Sequence, residues 1–317
     1  HDPQRLQRPL AAGATRHYSW QTGGAHFYFY TDYADAGHMT VDAVDGFRLT
    51  KLWDEHVEAA ECLAAVFTDS PQVCRSLEEV SDDVDLVFIA DCNGDGSNHL
   101  ALARPGLEKG VATFVDKPLA FSVSDATTLI ELAAENAAPL ASISILRALP
   151  DATLFSRRLP EVGDLQFGSI QGGGPSLAGQ IHTISLAQSI FGTGVVGVRA
   201  MGDGQPDTIH LDYGERADRP SRGVTLSCDV GAVWHCAFHA SAHGPRGVIY
   251  SPPMGDFVFP YGAADILRQV RDMVQTGRSP AWTADMMEAV AIAAASRRAH
   301  ETGDRVELQP SSPGATQ

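Results

Sequence analysis

The chain has 317 residues, 44% of them hydrophobic and 20% charged, with a formal net charge of −16 at pH 7. One hydrophobic core rarely serves that length, so two domains are expected. The negative field repels nucleic acid and anionic membranes, and no apolar run approaches the ~20 residues of a spanning helix, which leaves a small polar or neutral molecule as the expected partner. Cys62, Cys74, Cys92, Cys228 and Cys236 are odd in number and scattered, without a CxxC pair. They read as reduced thiols in a cytoplasmic protein, not as a disulfide framework or a metal cluster.

Residues 1–25 carry no sustained period and read as an arm. The first predicted strand is His26–Tyr30, rich in aromatics. A short helical stretch follows around 38–44, then a second strand over Phe47–Trp53 that ends at Asp54. Glu55–Val66 has helical spacing. Ser76–Val80 reads as a short capped helix. Val84–Ala90 is a nearly continuous apolar run, the pattern of a parallel strand covered on both faces. A helix is predicted over Asn98–Lys109, with Gly110 at its C-cap. A strand over Ala112–Val115, a helix over Ser124–Asn136 capped by Ser124, and a strand over Ala141–Leu146 complete this part. Alternating strands and helices over 26–148 predict a Rossmann-like, doubly wound parallel sheet.

Beyond that the rhythm changes. Leu165–Gly174 is a predicted strand that ends in Gly172-Gly173-Gly174, and Leu177–Phe191 a helix closed by Gly192. Short strands follow at 195–201, 207–213, 223–230, 233–241 and 246–250, then helices at about 261–276 and 283–302. Residues 149–308 therefore predict an α+β domain with a large, mostly antiparallel sheet. The tail 309–317 is rich in Pro, Ser and Gly and reads as disordered.

Four separated features occur together in order. Gly110 leads through a strand into Asp116-Lys117-Pro118, and the preceding helix carries His99 near its start. The triple glycine leads into a helix with His182. The last helix, Met286–Thr302, is followed by a short strand-like end at 303–308. In this the chain resembles the glucose–fructose oxidoreductase / inositol dehydrogenase / MocA (Gfo/Idh/MocA) family over roughly residues 26–308. Members carry Glu-Lys-Pro where this chain has Asp116-Lys117-Pro118, often with a cis bond before the proline.

The resemblance implies that Lys117 lies beside the nicotinamide and the substrate and supports proton transfer. A lysine at the carboxyl end of a parallel strand also faces the crevice where such folds bind ligands. The family's second motif is an Asp four residues before a His, on one helical face. The matching positions here are Ala178 and His182. The histidine is present and the aspartate is absent. Ser185 stands where many members carry another Asp. The resemblance thus makes Lys117 and His182 the catalytic candidates, with His99, Gln180 and His239 on the substrate side.

The cofactor signature is eroded. The first strand should run into GxGxxG, whose glycines let the backbone approach a pyrophosphate at a helix N-terminus. Tyr30–Gly37 offers only Gly37, and Asp32 and Asp35 add negative charge there. Asp54, at the end of the second strand, suits a ribose hydroxyl and favours NAD over NADP. Asp91 and Asn93 follow the apolar strand and border the nicotinamide crevice, with Asp116 and Pro118 on its other side.

His235, His239 and His243 share strand parity, but positions 235 and 239 lie about 13 Å apart at ~3.3 Å per residue. They do not form a joint metal site, and none is expected. They read as one sheet face that lines a pocket or a subunit contact, with Trp234, Phe238 and Ala240 on the other. The resemblance implies a homodimer or homotetramer formed through this sheet.

The leading expectation is an oxidoreductase that moves a hydride between NAD (or NADP) and a hydroxyl of a sugar, cyclitol or related polyol. The missing Asp and Gly signature keep two alternatives open. One is a redox-neutral lyase, epimerase or isomerase on the same fold, with or without a nicotinamide. The other is a non-catalytic binding or regulatory homologue.

Overall fold

The computed structural model describes residues 41, 44–67, 69–91, 94–174, 176–228, 237–255 and 258–308. The arm, the first predicted strand, the 30–37 turn and the tail lie outside these residues. So do Asp32, Gly37, Asn93, Trp234 and His235.

The amino-terminal part alternates as predicted. Its elements are β1 (Lys51–Leu52), α1 (Val57–Ala64), β2 (Gln72–Val73), α2 (Leu77–Val80), β3 (Leu86–Ile89), α3 (His99–Glu108), β4 (Ala112–Val115), α4 (Val123–Glu135) and β5 (Leu140–Ala141). β1 pairs with β2 in parallel, and β3, β4 and β5 form a parallel sheet in that order. Central β4 is buried along its whole length, which is why its residues are all apolar or small. Ala112 and Phe114 face the main core, while Val115 packs with Ala103, Leu107 and Leu129 of the flanking helices. The Phe114 ring stacks on Phe88 at 4.5 Å.

Two local expectations are corrected. α4 is capped by Ser122, which accepts from the Asp125 N–H, and Ser124 lies inside the helix. The strand expected over 141–146 stops at Ala141, and residues 145–148 form a 3-10 turn. Ser144 opens that turn by accepting from the Leu146 N–H at 3.2 Å. A polar residue that can bond its own backbone competes with a ladder, and here it wins.

The chain continues with α5 (Pro150–Arg157), β6 (Phe167–Gln171), α6 (Leu177–Phe191), β7 (Gly197–Met201), β8 (Thr208–Asp212), β9 (Val224–Ser227), β10 (Ala237–Gly244), β11 (Gly247–Tyr250), β12 (Met254–Gly255), α7 (Phe259–Thr276), α8 (Asp285–Thr302) and β13 (Val306–Glu307). Among the described residues the larger sheet has eight strands, ordered β11-β10-β6-β9-β8-β7-β13, with β12 paired to β10. Its pairs are antiparallel except β6 with β9. Phe238, Ala240 and Ala242 of β10 are buried, and His239 on the opposite parity is exposed, as the alternation requires. α6 is buried on nearly all sides, as a helix caught between other layers must be. The glycine turn before it is tight. A Cβ on Gly173 would meet the Gly179 carbonyl at 2.8 Å, and one on Gly179 would meet the Gly174 nitrogen at 2.4 Å.

Phe114→Ala removes a large ring from the layer where the two cores share a strand. It is expected to cost about 3–5 kcal/mol of unfolding free energy, read by urea denaturation. A loss below about 1 kcal/mol would contradict the packing described.

Candidate functional site

β4 ends at Val115, and the chain turns at once. The Asp116 N–H donates to the Ile89 carbonyl at 3.0 Å, which ties the turn to β3. One carboxylate oxygen of Asp116 accepts from the Lys117 N–H at 2.8 Å. The other is buried with no hydrogen-bond partner among the described residues. Burial pushes the Asp116 carboxyl above its ordinary pKa, and the Lys117 charge opposes this. Lys117 is only 4% exposed. Its Nζ donates to the Ala178 carbonyl at 3.4 Å. Ala178 lies one turn before His182 on α6, so the lysine from one domain meets the histidine-bearing helix of the other. The Lys117–Pro118 bond is cis.

His99 supports this turn from behind. It is 0% exposed, and its Nδ1 lies 2.7 Å from the Pro118 carbonyl. A carbonyl only accepts, so Nδ1 carries the hydrogen. His99 Nε2 faces the Asp91 carboxylate at 3.6 Å. Asp91 also accepts from the Gly94 N–H at 3.1 Å. The neighbouring His99 ring holds the Asp91 carboxyl below its ordinary pKa, against the effect of burial. The Phe121 N–H donates to the Gly96 carbonyl at 3.2 Å, so the loops after β3 and β4 are joined at several points.

On the other side, His182 is partly exposed, with its ring edge toward Phe238. Its Nδ1 lies 2.6 Å from Ser144 Oγ. Beside this pair Arg147 forms an ion pair with Asp285, at the start of α8, and reaches Gln188 Oε1 at 3.4 Å. A cavity of about 20 Å³ lies between these groups, lined by Lys117, Ser142, Ser144, Arg147, Ser185 and Gln188 among others. It has room for one water and not for a polyol.

Three expected substrate contacts are placed elsewhere. His99 is fully enclosed and braces the lysine turn. Gln180 is 2% exposed and donates to the Pro206 carbonyl at 2.6 Å, anchoring the β7–β8 loop. His239 points to the sheet face opposite Phe238, and Phe238 contacts His182, so the two histidines lie on opposite sides of the sheet. Asp54 is exposed after β1 and accepts from the His56 N–H at 2.8 Å, ahead of α1. Ser144, Arg147 and Asp285 were not singled out by sequence reasoning. A strand reading of 141–146 hides Ser144, and the Arg147–Asp285 pair spans 138 positions with no local signal.

Residues 27–143 match the family model GFO_IDH_MocA, described as an oxidoreductase family with an NAD-binding Rossmann fold. This segment belongs to the Gfo/Idh/MocA family. It contains Asp54, Asp91, His99 and the Asp116-Lys117-Pro118 turn. Solved structures extend the likeness over both parts of the chain. Myo-inositol 2-dehydrogenase from Lactobacillus plantarum superposes with a TM-score of 0.71 at 15% identity, over 85% of this chain and 94% of that one. A myo-inositol dehydrogenase from Corynebacterium glutamicum gives 0.64 at 18% identity, over 83% and 92%. GenD2 from gentamicin A biosynthesis, solved in complex with NAD, gives 0.68 at 18% identity, over 83% and 89%. At such identities the likeness is one of fold. No curated protein matches in sequence. In this Gfo/Idh/MocA segment the lysine turn is held through the Asp116, Lys117 and Phe121 N–H groups and through the His99 imidazole on the Pro118 carbonyl.

The lowered Asp91 carboxyl contributes stability that is present above its unfolded value of about 3.9 and is lost as pH falls through the folded value. Asp91→Asn is therefore expected to be less stable than the parent at neutral pH, with the gap closing as pH drops below about 4. Thermal unfolding across pH reads this, and a gap independent of pH would contradict the Asp91–His99 interaction.

Proposed function

We propose that this chain is a nicotinamide-dependent oxidoreductase acting on a hydroxyl of a cyclitol, sugar or related polyol. The observation that carries the reading is the contact between Lys117 and the first turn of the helix bearing His182. It sets Lys117, at the carboxyl end of a parallel strand, against the helix that bears His182. The relatives named above as inositol dehydrogenases suggest the substrate class.

The described residues fit the nicotinamide and ribose end of such a cofactor. Asp54 is an exposed acceptor at the end of β1, suited to ribose hydroxyls. Asp91, Gly94, Gly96 and Pro118 stand at the carboxyl ends of β3 and β4, where such folds favour ligand binding. When bound, the nicotinamide supplies the hydride acceptor or donor. The chain's own part is the proton. Lys117 takes it from the substrate hydroxyl as the neutral amine, or returns it as the ammonium, and the Ala178 carbonyl orients Nζ in either form. His182 hydrogen-bonds the same oxygen. Pro118 and Leu119, next in the turn, are buried. A redox-neutral reaction on the same groups is the second reading. It is favoured by one observation, that residue 178, one turn before His182, is an alanine where the family's motif has an aspartate.

We further place the subunit contact on the outer sheet face, where Tyr250 is 68% exposed, Met201 66% and Val248 42%.

Titration with NAD and NADH, followed by a cyclitol and sugar panel read as NADH formation, tests the first reading. Lys117→Ala is expected to lower turnover by about 10²–10⁴ with cofactor affinity held within a few-fold. Absence of binding at millimolar NAD and NADH would overturn it. For the interface, Tyr250→Asp is expected to shift the mass measured by light scattering toward the monomer, and an unchanged mass would count against that face.

A further inference from the structure

We propose that Ser144 stands in for the missing dyad carboxylate and reverses the tautomer of His182, so that the ring presents an N–H to the substrate rather than a lone pair. The inference rests on the reading above, in which His182 faces the reacting oxygen.

Its basis is the hydrogen balance at one oxygen. Ser144 is 1% exposed. Its Oγ already accepts from the Leu146 N–H at 3.2 Å, and it lies 2.6 Å from His182 Nδ1. A hydroxyl has one hydrogen to give. If Nδ1 carried a hydrogen, Oγ would accept twice, and the serine hydrogen would have no acceptor among the described residues. A buried donor left that way is disfavoured. If Ser144 instead donates to Nδ1, the serine hydrogen has an acceptor and Nδ1 a donor. A neutral imidazole then carries its hydrogen on Nε2. A carboxylate partner would do the reverse. It only accepts, so it selects Nδ1–H and leaves Nε2 as a base.

The consequence divides the labour at the site. With Nε2 already protonated, neutral His182 cannot take the hydroxyl proton there. That proton goes to Lys117 Nζ in its neutral amine form, which becomes the ammonium, while Nε2–H donates to the substrate oxygen and supports negative charge that builds on it. Ser144 is thus a positioning residue, supplied by the 3-10 turn that links the parallel sheet to α5. A water in the adjoining cavity is a competing acceptor for the serine hydrogen, and the measurement below distinguishes the two arrangements.

The test is two-bond proton–nitrogen correlation NMR of the imidazoles in the full 15N-labelled chain, without ligand, at a pH where the ring is neutral. His182 is assigned by the signal lost in His182→Gln. The parent is expected to show Nε2 protonated and Nδ1 bare. Ser144→Thr keeps that pattern, Ser144→Ala loses the preference, and Ser144→Asp reverses it. An Nδ1–H ring in the parent would overturn the proposal, as would Ser144→Thr and Ser144→Asp giving the same tautomer. The latter comparison decides if Ser144→Ala does not fold. Because no substrate or cofactor enters, failure to bind NAD would sink the functional reading and leave this result standing. A wrong tautomer with NAD bound and turned over would do the opposite.

Discussion

The bond from the Lys117 ammonium to the Ala178 carbonyl joins the two halves of the chemistry. A nearly buried cation is costly unless its surroundings compensate. Here Asp116 lies next in sequence with its carboxyl buried, and α6 presents a carbonyl from its first turn. The turn that carries the lysine has little freedom of its own. Its backbone is tied to β3 through Asp116, to α3 through His99 and Pro118, and to the Gly96 loop through Phe121. A side chain held on so many sides is positioned before any ligand arrives, which is the condition for efficient proton transfer.

The same region fixes how the two halves meet. Arg147, in the turn after β5, pairs with Asp285 at the start of α8 and reaches Gln188 on α6. Gln188 in turn donates to the Asp285 carbonyl at 3.2 Å. This polar joint lies beside Ser144 and Lys117 around the small cavity, so the groups that set the relative position of sheet and helix are also neighbours of the proposed catalytic pair. Met286 and Val290 of α8 complete the apolar side of the joint by packing into the core of the amino-terminal helices.

Much of this was legible in the sequence because it rests on local patterns. β4 is legible to the residue, since a central parallel strand is apolar or small along its length. α6 was also found to the residue, because Gly192 ends it and the glycine turn precedes it. Lys117 and His182 were identified through a resemblance, and the structure brings their elements into contact. The errors have a common cause. Ser122 and Ser144 act through short-range hydrogen bonds that periodicity does not reveal. His99 and Gln180 are polar residues whose partners, Pro118 and Pro206, are carbonyls in distant loops, contacts with no local signal in the sequence. His239 was assigned by position, and strand alternation alone puts it on the face away from Phe238 and His182.

The central claim is that Lys117 and His182 act on one oxygen. A crystal structure of the chain with NAD and a bound cyclitol measures this directly. The account expects Lys117 Nζ and His182 Nε2 each within about 3.2 Å of the same substrate hydroxyl. A polyol bound with its reacting carbon away from both groups, or a dinucleotide lying outside the crevice above β3 and β4, would contradict it.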